Sequence, residues 1–544
     1  MSMGPEHMII APILIPFFAG ALMFVYDERQ RRAKLTISLL AAAASLLAGM
    51  EIMSRANGSD FAGGADTGFY LLGDWSAPFG IALVADRLSA LMLVLTGLLS
   101  LPVLTYAAAG WQRQGQHFHS LFQFLLMGLN GAFLTGDLFN LFVFFEVLLA
   151  ASYGLLLHGG GQLRVRAGLH YIAINLTGSL LFLIGVSLVY GATGTLNMAQ
   201  LSSLIPGLSE TRRPLLHVGA AMMGLAFLIK AGIWPLSFWL PTAYMAGAAP
   251  VAAMFSIMTK VGVYVIMRLS FLMFGVAAGP SEGFSGPVLI LGGMATVTYG
   301  CLGVLASQSL GRVTAHLVLV SSGTVLAAAG FVLVGGSPQI LVAALYYLVA
   351  STLGIAALFL LIEPMGREDG SIAALLALTA DAYGLDDREE DRQPEVGIAV
   401  PGTLTVLGLS YLACVIALAG LPPLAGFIGK LGMLQGLLVE GAATPILSWG
   451  FVALLILSGF ATLLGLVRIG IHTFWGAESE PPRLLALEIA PVLALVGLVA
   501  ILSWKAEATL GYMRDTAAAA QSPAAYAAGV YGAPRATDTE EEDP

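Results

Sequence analysis

Runs of about twenty uncharged, apolar residues recur from one end of this chain to the other, each long enough to cross the roughly 30 Å of hydrocarbon in a bilayer. Fourteen can be drawn, at about residues 9–25, 35–53, 88–108, 119–136, 138–157, 168–190, 215–240, 250–268, 286–306, 313–334, 338–362, 402–438, 447–471 and 484–504. In lipid the backbone must satisfy its own hydrogen bonds, so such runs are expected as helices. The expected fold is an all-α polytopic membrane protein of about 14 transmembrane helices. Charged residues make up only 10% of the chain, against about 25% in soluble domains. With a mean hydropathy of +0.86, that excludes a water-soluble fold. The first run has no basic segment before it and more runs follow directly, so it is expected to be a membrane helix rather than a cleaved leader.

Two cysteines, Cys301 and Cys414, each lie inside a run, too few for a disulfide framework or an iron–sulfur site. The net charge of −9 comes partly from DDREEDRQPE and the terminal ATDTEEEDP. These are solvated segments that argue against nucleic acid as a partner. No GxxxxGK[ST] loop is present to cradle a phosphate, which disfavours ATP hydrolysis as a drive.

Placing the N-terminus outside puts thirteen of the 24 Lys and Arg on the inner side and eight on the outer, and positive-inside favours that orientation. The remaining three are Lys230, Lys260 and Lys430, all lysines and all within runs.

Two runs must be broken. Residues 402–438 would be about 55 Å long as one helix at 1.5 Å per residue, and ALAGLPPLAGF supplies the interruption. The other is LIKAGIWPLSFWLP, where Pro235 and Pro241 follow Lys230. Discontinuous helices at corresponding places in two halves mark inverted-repeat transporters, with ion sites at the breaks. The expected organisation is therefore helices 1–3 in residues 1–110 and a first five-helix repeat in 111–270, with helix 7 discontinuous. A second inverted repeat occupies 286–475, with helix 12 discontinuous and an inner loop at 364–401. Helix 14 and an acidic tail follow in 476–544. AALLALTADAYGL in the loop fits a tethered amphipathic surface helix, and 505–544 is expected to be poorly ordered.

Residues 138–157, LFNLFVFFEVLLAASYGLLL, carry one charge, Glu146, about 12 Å into the run by helical rise. Lys260 is about 15 Å into its own run, Lys230 precedes a proline break and Lys430 follows one. Charged and unpaired, each would cost about 2.5–3.5 kcal/mol. A lysine near a helix end can snorkel to the headgroups, but from mid-span the stem is too short. Desolvation and a nearby carboxylate act in opposite senses on a buried lysine, so such groups can exchange protons near neutral pH. One carboxylate and three lysines at mid-depth therefore suggest a proton relay. Asp137, nine residues before Glu146, fits a helix cap, with ion access the alternative. His316, in GRVTAHLVLVSSG, fits either a satisfied interfacial histidine or a relay member. Ser321, Ser322 and Thr324 after it could line a hydrated path. His158 and His170 are separated by a GGG turn and make no haem pair; no cofactor or metal is expected.

The stretch from LFNLFVFFEVLLAASYGLLL through GGGQLRVRAGLHYIAINLTGSLL resembles the fifth and sixth spans of the D-type subunit of the Mrp (Mnh or Pha) multisubunit cation/proton antiporters. FLIKAGIWPLSFWLPTAY, TKVGVYVIMR and AGLPPLAGFIGKL extend the likeness over about residues 9–475. The wider family includes the antiporter-like proton-pumping subunits of respiratory NADH–quinone oxidoreductase. Lysine at 430 favours the Mrp type. The resemblance implies an ion pair between Glu146 and Lys230, a hydrated axis centred on Lys260, and an end to that axis at Lys430. It also implies assembly with other Mrp-type membrane subunits in a bacterial-type plasma membrane. Where family members commonly carry histidine in the eleventh span, this chain has Ala350, so the relay here would run through water or His316.

The expected function is a non-enzymatic subunit of an antiporter exchanging sodium, or another monovalent cation, for protons. The first alternative is a proton-pumping subunit of a respiratory or hydrogenase-type redox complex. The second is an assembly scaffold whose buried charges pair statically.

Overall fold

The computed structural model describes residues 7–61, 66–366, 402–438, 445–475 and 484–533. Its helices follow the apolar runs closely: α1 (His7–Val25), α2 (Arg31–Gly58), α3 (Arg87–Ala108), α4 (Phe118–Leu134), α5 (Leu138–Leu156) and α6 (Gln162–Thr193). A short helix α7 (Met198–Leu204) precedes α8 (Arg213–Ala231), α9 (Trp239–Ala246) and α10 (Ala249–Phe274). Then come α11 (Gly286–Ala306), α12 (Leu310–Leu333), α13 (Pro338–Gly366), α14 (Gly402–Ala419), α15 (Ala425–Leu437), α16 (Pro445–Trp475) and α17 (Ala486–Trp504). Thirteen of these are long and apolar enough to span a bilayer, and α4 is a shorter apolar helix. With α8–α9 and α14–α15 each making one interrupted crossing, that gives the fourteen crossings expected.

Local chemistry sets where these helices begin. Asp86 and Ser89 form a capping box at α3, with Ser89 N donating to Asp86 Oδ1 at 2.9 Å and Asp86 N to Ser89 Oγ at 2.9 Å. Asn197 caps α7, its Oδ1 accepting from Ala199 N and Gln200 N at 3.0 and 3.1 Å. At the centre, every residue of α10 is buried, and α12 and α13 are almost completely enclosed. A helix apolar on all sides belongs in such a position. The peripheral helices turn Phe18, Leu40, Leu302 and Ile456 outward, as lipid contact requires.

On the face where α1 starts, strands β1 (Gly68–Leu71) and β2 (Ala82–Ala85) form an antiparallel hairpin. Here the sequence expectation for 505–544 fails in its first part. Residues 506–531 form α18 (Ala506–Ala520) and α19 (Pro523–Tyr531), packed across that face through Tyr512, Met513, Ala517, Tyr526 and Val530. Tyr512 donates to the Arg87 carbonyl at 2.8 Å, tying the C-terminal segment to the start of α3. Alanine-rich composition suits helix as well as it suits loop, and the aromatic residues at helical spacing provide the buried face. The interrupted 215–240 run continues to Ala246 as a separate helix. The amphipathic segment expected in 364–401 and the acidic tail lie outside the described residues, apart from the last turn of α13.

Candidate functional site

The first interruption follows from glycine and proline. α8 ends at Gly232, whose φ of 73° is easily reached only without a Cβ. The carbonyls freed at this end are taken up by Gly232 N, Ile233 N and the Trp239 indole, the last at 3.2 Å from the Ile229 oxygen. Lys230 therefore sits at the carbonyl end of a half-helix, where the helix dipole favours a cation. It is buried, with Nζ 3.3 Å from Tyr171 Oη and 3.4 Å from Asn175 Oδ1 of α6. Phe145 and Tyr171 present ring faces to it at 5.6 and 5.5 Å. Tyr171 also shares a 2.8 Å hydrogen bond with Ser152 of α5.

Glu146 lies on α5, next in sequence to Phe145, whose ring faces Lys230. The direct ion pair implied by the family resemblance is not formed: the hydrogen-bond acceptors of Lys230 are Tyr171 and Asn175, and one Glu146 carboxylate oxygen is buried without a partner. The unmade bond costs desolvation energy unless water or a moving lysine satisfies it.

Lys260, fully buried on α10, donates to Ser321 Oγ at 2.7 Å and Ser322 Oγ at 3.1 Å on α12. Ser321 in turn lies 2.7 Å from Ser351 of α13. Lys430 sits on α15, beyond the second interruption, and reaches back across it to the Ala419 carbonyl at 3.2 Å, with Ser458 Oγ of α16 at 3.3 Å. Its stem packs over Gly420 (φ 78°), where a Cβ would lie 2.7 Å from the Lys430 Cδ, so only glycine fits that turn.

Asp137 is a cap: Oδ1 accepts from Phe139 N at 2.8 Å and Asn140 N at 3.0 Å. Burial pushes its carboxyl above the usual range, against these two bonds. His316 lies on the α11 side of α12, Nδ1 bonded to the Arg312 carbonyl at 2.8 Å and its ring 6.0 Å from Tyr299, and it makes no hydrogen bond to the Lys260 serines. His158 and His170 bond to the backbone carbonyls of Trp111 and Arg166, both at 2.9 Å.

The sequence expectation missed Tyr171 and Asn175, whose i,i+4 spacing in HYIAIN puts both on one face of α6. It also counted Arg268 among the eight positive charges on the outer side. Arg268 is buried in a two-pronged pair with Asp86 at 2.5 and 2.7 Å, with the Tyr526 ring of α19 5.6 Å from its guanidinium. Although burial alone would raise it, Arg268 holds the Asp86 carboxyl below the usual range.

Charges buried at two helix interruptions, with a third lysine on the enclosed helix between them, define a polytopic membrane protein built in the manner of ion transporters. Comparison makes that specific: the chain belongs to the NADH:quinone oxidoreductase/Mrp antiporter transmembrane family, which it matches over residues 135–458. It is 51% identical over 537 residues to the D-type subunit of a probable K+/H+ antiporter from Rhizobium meliloti, spanning 98% of each chain. Identity to the corresponding Na+/H+ antiporter subunit of Bacillus subtilis is 35%, over 88% of this chain and 89% of that one. Among solved structures it superposes on a chain of the Mrp complex from Dietzia sp. DQ12-45-1b with a TM-score of 0.80 and 26% identity, covering 98% of this chain and 100% of that one.

Proposed function

We propose that this chain is the proton-conducting subunit of a multisubunit monovalent cation/proton antiporter, oriented with its N-terminus outside the plasma membrane. The observation that carries this is the set of buried charges: Glu146 and Lys230 at the first interruption, Lys260 on the enclosed α10, and Lys430 at the second. The unsatisfied Glu146 oxygen and the loosely held Lys230, whose two contacts are 3.3 and 3.4 Å, describe a lysine able to swing between α6 and α5. When it swings to Glu146 the two charges offset each other; when it returns, the carboxylate is free to take a proton. Residues 111–270 and 286–475 act as two inverted units joined through Lys260.

Relatives named for K+ and for Na+ make these two the first cations to test, with the other membrane subunits as partners. The decisive experiment is antiport in inverted vesicles carrying the whole complex, comparing K+, Na+ and Li+, with Lys260→Ala beside the unaltered chain. Cation-dependent proton movement that Lys260→Ala abolishes supports the proposal. Full exchange in Lys260→Ala would leave the buried charges as static pairs in a scaffold. Because the family also includes subunits of NADH:quinone oxidoreductase, flavin or iron–sulfur proteins co-purifying with the complex would instead favour redox-linked pumping.

A further inference from the structure

Lys260, Tyr264 and Arg268 stand at i, i+4 and i+8 on α10, so they share one face of the enclosed helix. By helical rise Arg268 is about 12 Å beyond Lys260, toward the face where α1 starts. Tyr264 Oη donates to the Phe133 carbonyl of α4 at 2.6 Å and accepts from Arg268 Nη2 at 3.1 Å. The same Nη2 donates to Asp86 Oδ1, and Nη1 to Asp86 Oδ2. The guanidinium therefore lies between Tyr264, one turn toward Lys260, and the carboxylate at the head of α3. The pair is neutral as a whole, but its positive end faces Tyr264 and the Lys260 side.

The C-terminal segment covers this pair. The Tyr526 ring of α19 lies 5.6 Å from the guanidinium carbon and the Tyr264 ring 5.4 Å from it. Tyr512 of α18 is bonded to the carbonyl of Arg87, the residue after Asp86. Arg268, Asp86, Tyr264 and Tyr526 are all buried. A buried ion pair adds little stability over apolar residues of similar volume, whereas a fixed positive end is something apolar residues cannot supply.

We infer that Arg268 is a charge barrier closing the outer end of α10 against cations, held in place by Asp86 and covered by Tyr526 of α19. This rests on the relay and the orientation proposed above, and adds what keeps Lys260 from exchanging directly with the outside. Arginine stays protonated at any working pH, so its guanidinium repels a cation approaching Lys260 along this face, as an arginine excludes cations from a narrow pore. Tyr264 does not bridge the gap for protons. Its one proton is spent on the Phe133 carbonyl, and its oxygen accepts from a group that never releases a proton. Asp86 grips the guanidinium by two parallel bonds, a geometry that the single ammonium of a lysine would not reproduce. The Tyr526 ring packs over the guanidinium, which gives α18 and α19 a part in transport as the cover of the barrier. Without this closure, outer protons would reach Lys260 without passing either interruption and would dissipate the gradient that antiport uses.

The test reconstitutes the whole complex in liposomes and follows decay of an imposed pH gradient in choline medium, with a lipophilic anion present to balance charge. Chloride flux is measured beside it. Asp86→Asn with Arg268→Gln removes both charges and keeps side chains that can still hydrogen-bond to each other. Tyr526→Ala uncovers the pair from the edge of the molecule, and Tyr526→Phe keeps the ring. Arg87→Gln removes a neighbouring positive charge on the same face and serves as the reference. The double variant is expected to raise the proton leak about tenfold and Tyr526→Ala to raise it several-fold, with chloride flux unchanged. Tyr526→Phe and Arg87→Gln should stay as tight as the unaltered chain, and adding Lys260→Ala to the double variant should abolish the extra leak. Proton and chloride fluxes rising together would mean loosened packing and would overturn the barrier. So would unaltered tightness in both the double variant and Tyr526→Ala; loss of antiport in Lys260→Ala would then leave the relay standing without the barrier.

Discussion

At the first interruption Lys230 belongs to the half-helix that ends there, whereas at the second Lys430 belongs to the half-helix that follows and reaches back. Both ammonium groups finish beside the carbonyl end of the leading half-helix, so the dipole favours a cation at each. Their remaining surroundings differ in charge. The first site has the Glu146 carboxylate on an adjacent helix, together with an amide and a phenol at the lysine. The second has one carbonyl and one hydroxyl within hydrogen-bond reach. An ammonium in low dielectric is costly without a counter-charge. In the relay proposed above, Lys230 therefore has a carboxylate to swing to, whereas the hydrogen-bond partners of Lys430 among the described residues are neutral.

The largest effect is expected from removing the one feature that separates the sites. Glu146→Gln is nearly isosteric and deletes only the titratable charge. Antiport should fall by about tenfold or more while the complex still assembles, as measured by exchange in vesicles and by recovery of the intact complex. Near-wild-type exchange at every pH would mean that the two breaks do not differ in the way their charges suggest.

Exchanging the sign at the other break comes next. In Lys430→Glu a carboxylate would face the Ala419 carbonyl, two acceptors with no donor between them, so loss of antiport is expected with the chain still in the membrane. A functional Lys430→Glu protein would show that the second site needs a titratable group of either sign. A double change at the first site then sharpens the comparison: Lys230→Ala and Glu146→Gln should be strongly non-additive, because the two share one interaction. Additive losses would mean that Lys230 does not swing to Glu146. A smaller loss, several-fold in rate, is expected for Tyr171→Phe, which leaves Lys230 with Asn175 alone as its hydrogen-bond acceptor on α6.

Much of this is legible in the sequence because breaks and buried charges are conspicuous in apolar surroundings. Proline and glycine punctuate both interrupted helices, and four charges stand out within their runs. The partners of those charges are harder to see. Hydroxyls in membrane helices commonly bond to their own backbone, as Thr177 and Thr298 do here, so a serine that crosses to a neighbouring helix carries no distinguishing mark. Arg268 is misleading because it stands near the end of an apolar run, where an arginine ordinarily meets headgroups, and its partner Asp86 is 182 residues away. The C-terminal helices escape notice because alanine-rich composition suits disorder as readily as helix; Tyr512, Met513 and Tyr526 are the available signal.

The smallest predicted effect concerns the other carboxylate on the first half's side of the comparison. α5 carries two, Asp137 at its start and Glu146 within it, and only one is assigned to the relay. Asp137 accepts two backbone hydrogen bonds at the head of α5, which accounts for its position without any part in transport. Serine caps about as well as aspartate, so Asp137→Ser should change stability by a few tenths of a kcal/mol and Asp137→Ala by about 1 kcal/mol. Antiport at matched protein levels should be unaltered in both. Thermal unfolding of the purified complex checks the first pair of values, and exchange in vesicles checks the second. The serine variant separates the two roles because it keeps the cap and loses the charge. A fall in antiport shared equally by Ser and Ala would place the Asp137 carboxylate on the ion path, and the first half would then be distinguished from the second by two working carboxylates rather than one.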